Sequence, residues 1–110
     1  MSREALGKFE LMVLLAVLRV GDEAYGVPIA CELEEATGRD VLLGSVYAAL
    51  ERLEAKGLVV SRLGESTPER GGRAKKYFKL TAKGLREVRD TRRTLVKLWR
   101  GLTELQGGAT

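Results

Sequence analysis

A mainly α-helical fold with one β-hairpin, of the α+β kind, is what this sequence predicts, and three observations predict it. Apolar residues recur at helical spacing in three segments before Gly57. The period then changes: "LVVSRL" (58–63) and "KKYFKL" (75–80) are short and rich in β-branched and aromatic residues, with loop chemistry between them. After Thr81 the helical period returns and is sustained over the longest segment of the chain. With 110 residues, 45% of them hydrophobic and 31% charged, the chain suits one domain around one core.

The first helix is "FELMVLLAVLRV" (9–20), apolar nearly all round, as a helix buried on several sides or shared with a second chain would be; "GDE" from Gly21 ends it. In "YGVPIACELEEATG" (25–38), Pro28 fits a first helical turn, Ile29 and Leu33 share a face, and Gly38 fits a C-terminal stop. A connection through Arg39–Leu43 leads to a third helix. There Val46, Ala49, Leu50 and Leu53 form an inward stripe, and Gly57 is the stop. The hairpin follows, its two strands joined by "GESTPERGG" with Pro68, Gly71 and Gly72. Thr81 is a good N-cap for a last helix from about Ala82 to about Leu105, roughly 35 Å long at the standard rise. The tail "QGGAT" (106–110) reads as disordered, and no internal repeat is visible.

Composition removes several function classes. The longest apolar run, Leu11–Leu18, falls far short of the roughly 20 residues that cross a bilayer, and a secretory N-terminal pattern is lacking, so a cytoplasmic protein is expected. One cysteine, Cys31, and no histidine leave no Cys/His metal cluster and no internal disulfide. Without histidine, a glycine-rich phosphate motif or an evident carboxylate pair, no enzyme chemistry is indicated, and no cofactor is expected. The net charge of +4 is unevenly placed. Residues 1–61 carry six Lys/Arg against ten Asp/Glu, whereas residues 62–100 carry thirteen against four. A polyanion partner explains that asymmetry; a merely solvated basic face is the blander alternative.

Helix, helix, helix, hairpin, helix is the order of a winged helix-turn-helix domain, here residues 1–81, extended by a C-terminal helix over 82–105. Arg70, Arg73, Lys75 and Lys76 would put cations on the projecting wing, with Gly71 and Gly72 allowing close backbone approach to phosphates. On the third helix the inward stripe leaves Gly44, Ser45, Ala48 and Arg52 facing out. Small residues permit approach to a groove, Ser45 can donate to a phosphate or base edge, and Arg52 supplies a long cation. Tyr47 either reaches a phosphate with its hydroxyl or is a half-buried aromatic beside the hairpin.

Three segments, "AYGVPIACELEEATG", "GSVYAALERLEAKGLV" and "GGRAKKYFKLTAKG", resemble the signature segments of PadR-type transcriptional regulators over about Leu11–Glu87. The resemblance implies a winged-helix homodimer that binds double-stranded operator DNA, usually as a repressor, and is released by a small ligand. It also places the chain in the short branch with a single C-terminal helix, and favours the DNA-contacting role for Tyr47. Ala48 stands where many members have proline, and Leu42 where a capping serine is common, which leaves the start of the third helix open.

The last helix carries a seam. Val88, Leu95 and Leu102 recur every seven residues, interleaved with Thr91, Leu98 and Leu105. Because three helices and a hairpin already close a core, this seam is expected to pair with a second chain rather than with its own domain. Trp99 beside it is either a packing anchor or, with Leu11, Val13, Leu95 and Leu98, part of a pocket for a flat aromatic or apolar effector, as in short PadR-like regulators. Cys31, opposite Ile29 and Leu33, is expected to be partly exposed and inert. The alternative class is a winged-helix module that binds protein without touching DNA.

Overall fold

The computed structural model describes residues 6–64 and 75–105. Their order is α1 (Lys8–Val20), a 3-10 turn (Gly21–Glu23), α2 (Gly26–Thr37), α3 (Leu43–Ala55), β1 (Val59–Leu63), β2 (Lys76–Leu80), α4 (Ala82–Trp99) and a 3-10 turn (Thr103–Leu105). This is the mainly helical architecture with a two-stranded antiparallel wing that the sequence predicts.

Local chemistry sets the boundaries. The Gly7 N–H donates to Glu10 Oε1 at 3.1 Å, satisfying one of the amides that the first turn of α1 leaves without partners. α2 ends at Gly38, whose φ of 71° is the left-handed conformation that glycine adopts without a Cβ penalty; its N–H donates to the Glu34 carbonyl at 2.8 Å. α3 begins after Leu42, which has the extended backbone of an N-cap but no side-chain cap bond. The approach to α3 is instead tied by Glu34, whose Oε2 accepts from the Val41 N–H at 2.8 Å. Thr81 does cap α4: its Oγ1 accepts from the Gly84 N–H at 3.0 Å and donates to the Gly57 carbonyl at 2.7 Å. Gly84 is required there, because a Cβ would collide with the Leu58 carbonyl oxygen.

The core forms where α1, α2, α3 and the hairpin meet. Val13, Leu14, Ile29, Val46, Leu50 and Leu53 are fully buried, with Phe78 and Leu80 closing it from β2. β1 and β2 pair from Val59 with Leu80 to Leu63 with Lys76, and the Phe78 N–H donates to the Ala24 carbonyl at 2.8 Å, pinning the hairpin to the α1–α2 turn.

One boundary differs from expectation. α4 ends at Trp99, six residues before Leu105: Arg100 is extended (ψ 134°) and Gly101 has φ 82°, so the chain turns away. Eighteen helical residues span about 27 Å, and Leu102 and Leu105 lie beyond the break rather than on a continuous seam. Gly101, with its positive φ, is the physical stop, although the apolar period runs on to Leu105.

Candidate nucleic-acid interface

The outward face of α3 follows from its inward one. Val46, Ala49, Leu50 and Leu53 are all fully buried, which leaves Gly44, Ser45 and Ala48 exposed at the helix start, as expected from their spacing. Tyr47 lies beside that face, 39% exposed, with its ring on the first residue of α2. Gly26 makes this possible, since any Cβ there would overlap the Tyr47 ring. The tyrosine ring therefore packs on the start of α2.

Arg52 is exposed on α3, as expected, and is also paired within the chain. Its Nε donates to Glu10 Oε2 at 3.0 Å, while Lys56 Nζ donates to Glu10 Oε1 at 2.9 Å. Glu10 is buried, and burial works to raise its pKa. The Lys56 ammonium, the Gly7 N–H and the Arg52 guanidinium outweigh that and hold the carboxyl at about 2. Arg52 thus ties α3 to α1, with its side chain still 54% exposed toward solvent. Periodicity gave no sign of this triad, because its members are separated by 42 and 46 residues.

At the root of the wing, aromatic rings organise the cations. Tyr25 and Tyr77 meet edge to face with centroids 5.7 Å apart; Lys75 Nζ lies 3.6 Å from the Tyr25 ring centroid and Arg62 lies 4.6 Å from that of Tyr77. Lys75 is turned back onto Tyr25, while Lys76 is exposed. Arg62, Tyr25 and Tyr77 were not singled out from the sequence; their only signal is the interleaving of aromatic and basic residues. Arg70, Gly72 and Arg73 lie outside the described residues.

A second candidate site runs between α1 and α4. Leu11, Leu15, Val88, Arg92, Leu95, Val96 and Trp99 line an almost wholly apolar groove of about 230 Å³. Leu11, Leu95 and Trp99 come together as expected. Val13 does not join them, being fully buried on the core side of α1, and Leu98 projects away, 67% exposed. Leu15 and Val96 take their places, one helical turn from Leu11 and Arg92. Among the described residues no group of acidic, cysteine or histidine side chains could hold a metal ion, and no helix is long and apolar enough to cross a membrane.

Three helices followed by a two-stranded antiparallel hairpin, with the start of the third helix exposed, define the winged-helix class of DNA-binding domain. Within that class, the chain belongs to the transcriptional regulator PadR-like family, whose model matches residues 14–90. Similar solved structures agree. A PadR-like transcription factor from Bacteroides fragilis is 31% identical, with 82% of each chain covered and a TM-score of 0.68. A PadR family transcriptional regulator from Eggerthella lenta is 26% identical, covering 86% of this chain and 80% of its own, also at 0.68. The hsRosR-S4 complex contains a chain 29% identical, covering 87% and 76%, at 0.67. No curated protein matches. The family is one of transcriptional regulators, not of enzymes, and its members bind DNA.

Proposed function

We propose that this regulator is a cytoplasmic homodimeric repressor. α3 of each copy meets operator base edges through Gly44, Ser45 and Ala48, and the basic hairpin holds phosphates on either side. The observation that carries this reading is the pairing of a small, exposed face on α3 with a fully buried opposite stripe, next to a cation-bearing wing root. A helix so built approaches a groove closely, while phosphate contacts fix its register. The two halves of the surface have separate tasks, recognition and attachment.

Dimerisation is supported by what one chain leaves uncovered. Leu15, Leu18, Leu95, Leu98 and Trp99 are each at least 42% exposed, so α1 and α4 leave several large apolar side chains in water for a second copy to cover. A second copy covering it would close the α1–α4 groove from outside and turn it into a cavity between subunits. An apolar, planar effector entering there would change how the two copies sit and so release the operator.

Selection of bound fragments from random duplex, followed by salt titration of the best binder, tests the DNA arm. A winner bound far more tightly than random DNA, with affinity falling steeply with salt, is the expected result. Affinity that is low and insensitive to salt would remove it. For the effector arm, planar apolar compounds should quench Trp99 emission, and Trp99→Ala should weaken their binding with DNA affinity kept; an alanine variant that binds them unchanged leaves Trp99 a packing residue.

A further inference from the structure

The proposed operator contacts use only part of the basic charge. Between residues 82 and 100 there are seven Lys/Arg against two Asp/Glu, an excess of five, whereas residues 62–81 hold six against two, an excess of four. The larger excess belongs to α4. At 100° per residue, Arg86, Arg89, Arg93, Lys97 and Arg100 fall within about 80° of one another, along about 20 Å of axis. All five are exposed. One carboxylate relieves them: Asp90 pairs with Arg93 at 2.9 Å, both side chains about two-thirds exposed.

The five cations line neither of the surfaces described above, although Arg92 and Val96, between the stripe and the α1–α4 groove, border both. Val88, Leu95, Leu98 and Trp99 are centred on the other side of α4, about 160° away, so a second copy covering the seam leaves the five cations in water. The stripe also lies away from the reading face of α3, because α1 packs against both α3 and α4 while those two make little contact with each other. The cations border a shallow groove of about 540 Å³ whose only apolar lining residue is Val96.

Charge and side-chain type indicate the occupant. A protein partner is held mainly by aromatic and apolar anchors in a dry centre, and the stripe has none. A phosphate backbone needs only closely spaced donors, and guanidinium forks, four of the five here, suit phosphate oxygens better than ammonium groups do. We propose that the Arg86–Arg100 stripe of α4 binds the phosphate backbone of a second DNA segment, so that one dimer bridges its operator to another stretch of DNA. The inference rests on the DNA-binding reading, which assigns the first duplex to α3 and the wing.

Energy transfer between two labelled duplexes tests it. The full-length protein holds a donor-labelled operator obtained by selection, and an acceptor-labelled random duplex is added. Transfer should appear at about 50 mM salt and fade by about 200 mM, as several phosphate contacts require. The combined variant Arg89→Gln, Arg93→Gln, Lys97→Gln should keep operator binding within about twofold and lose capture of the second duplex at least tenfold. Its helical content, read by circular dichroism, should not change. Absence of transfer with the wild type, equal transfer with the variant, or capture of polyglutamate but not of duplex would each overturn the proposal. A protein that captures random duplex through the stripe yet shows no preference for any operator would instead sink the α3 reading and leave the stripe standing.

Discussion

α3 and α4 are both amphipathic helices, but they complete their apolar faces in different ways. Every residue of the α3 stripe, Val46, Ala49, Leu50 and Leu53, is fully buried within one chain, whereas Leu95, Leu98 and Trp99 of α4 stay 42%, 67% and 57% exposed. Burial of an apolar side chain is worth roughly 1.5–3 kcal/mol. α3 obtains it on folding; α4 can obtain it only from another molecule. The proposed roles fit that difference: a helix that reads DNA must be rigid beforehand, while a helix that joins copies can leave its seam open until they meet.

The contrast can be broken at either end. The largest effect is expected at Leu50: Leu50→Ala should lower unfolding free energy by about 2–5 kcal/mol, measured by urea denaturation, and the loss should not depend on protein concentration. A much smaller cost would mean that the α3 stripe is loosely packed. Leu98→Asp should do the reverse. At 67% exposure in the single chain it costs the fold little, yet in the proposed homodimer it would place a charge in both copies of a desolvated seam. The dimer dissociation constant should rise at least a hundredfold, about 3 kcal/mol, by sedimentation. A variant that stays a tight dimer would put the interface elsewhere.

A third effect tests what holds α3 against α1. The Glu10 pKa is lowered in the folded chain from 4.5 to about 2, so its ion pairs contribute stability that is complete above about pH 4.5 and is lost as pH falls toward 2. Glu10→Gln should cost about 1–3 kcal/mol at pH 7, by leaving Arg52 and Lys56 with a neutral partner, and should flatten the stability curve over that acid range. Urea midpoints from pH 7 to pH 2.5 decide it; an unchanged slope in the variant would show that the triad is not the acid-sensitive element.

Much of this was legible in the sequence because it is local. The α3 stripe, the Gly38 stop and the Thr81 cap each depend on residues within a few positions, and all stand as expected. What the sequence did not reveal depends on long-range placement or on one glycine. Gly101 ends α4 at Trp99, although the heptad period runs on to Leu105. Val13 lies in the same apolar run as Leu11 but on the core side of α1, so spacing within a helix that is apolar all round could not tell pocket from core. Arg52 meets a carboxylate 42 residues away, and Tyr47 meets Gly26 across a helix–helix contact, neither of which has a periodic signature. The sheet-face alternation of β2 did show, with Phe78 and Leu80 buried and Lys79 exposed.

The proposed division of labour places recognition at the start of α3 and attachment in the basic hairpin. It is tested most directly by measuring affinity for the selected operator and for random duplex across a range of salt, for wild type, Lys76→Ala and Ser45→Ala. Lys76→Ala should weaken both duplexes alike and reduce the slope of log affinity against log salt by about one. Ser45→Ala should narrow the gap between operator and random DNA by roughly 1–3 kcal/mol with the slope unchanged. If the lysine variant keeps both slope and affinity, or if the serine variant weakens the two duplexes equally, the division of labour proposed for this surface is contradicted.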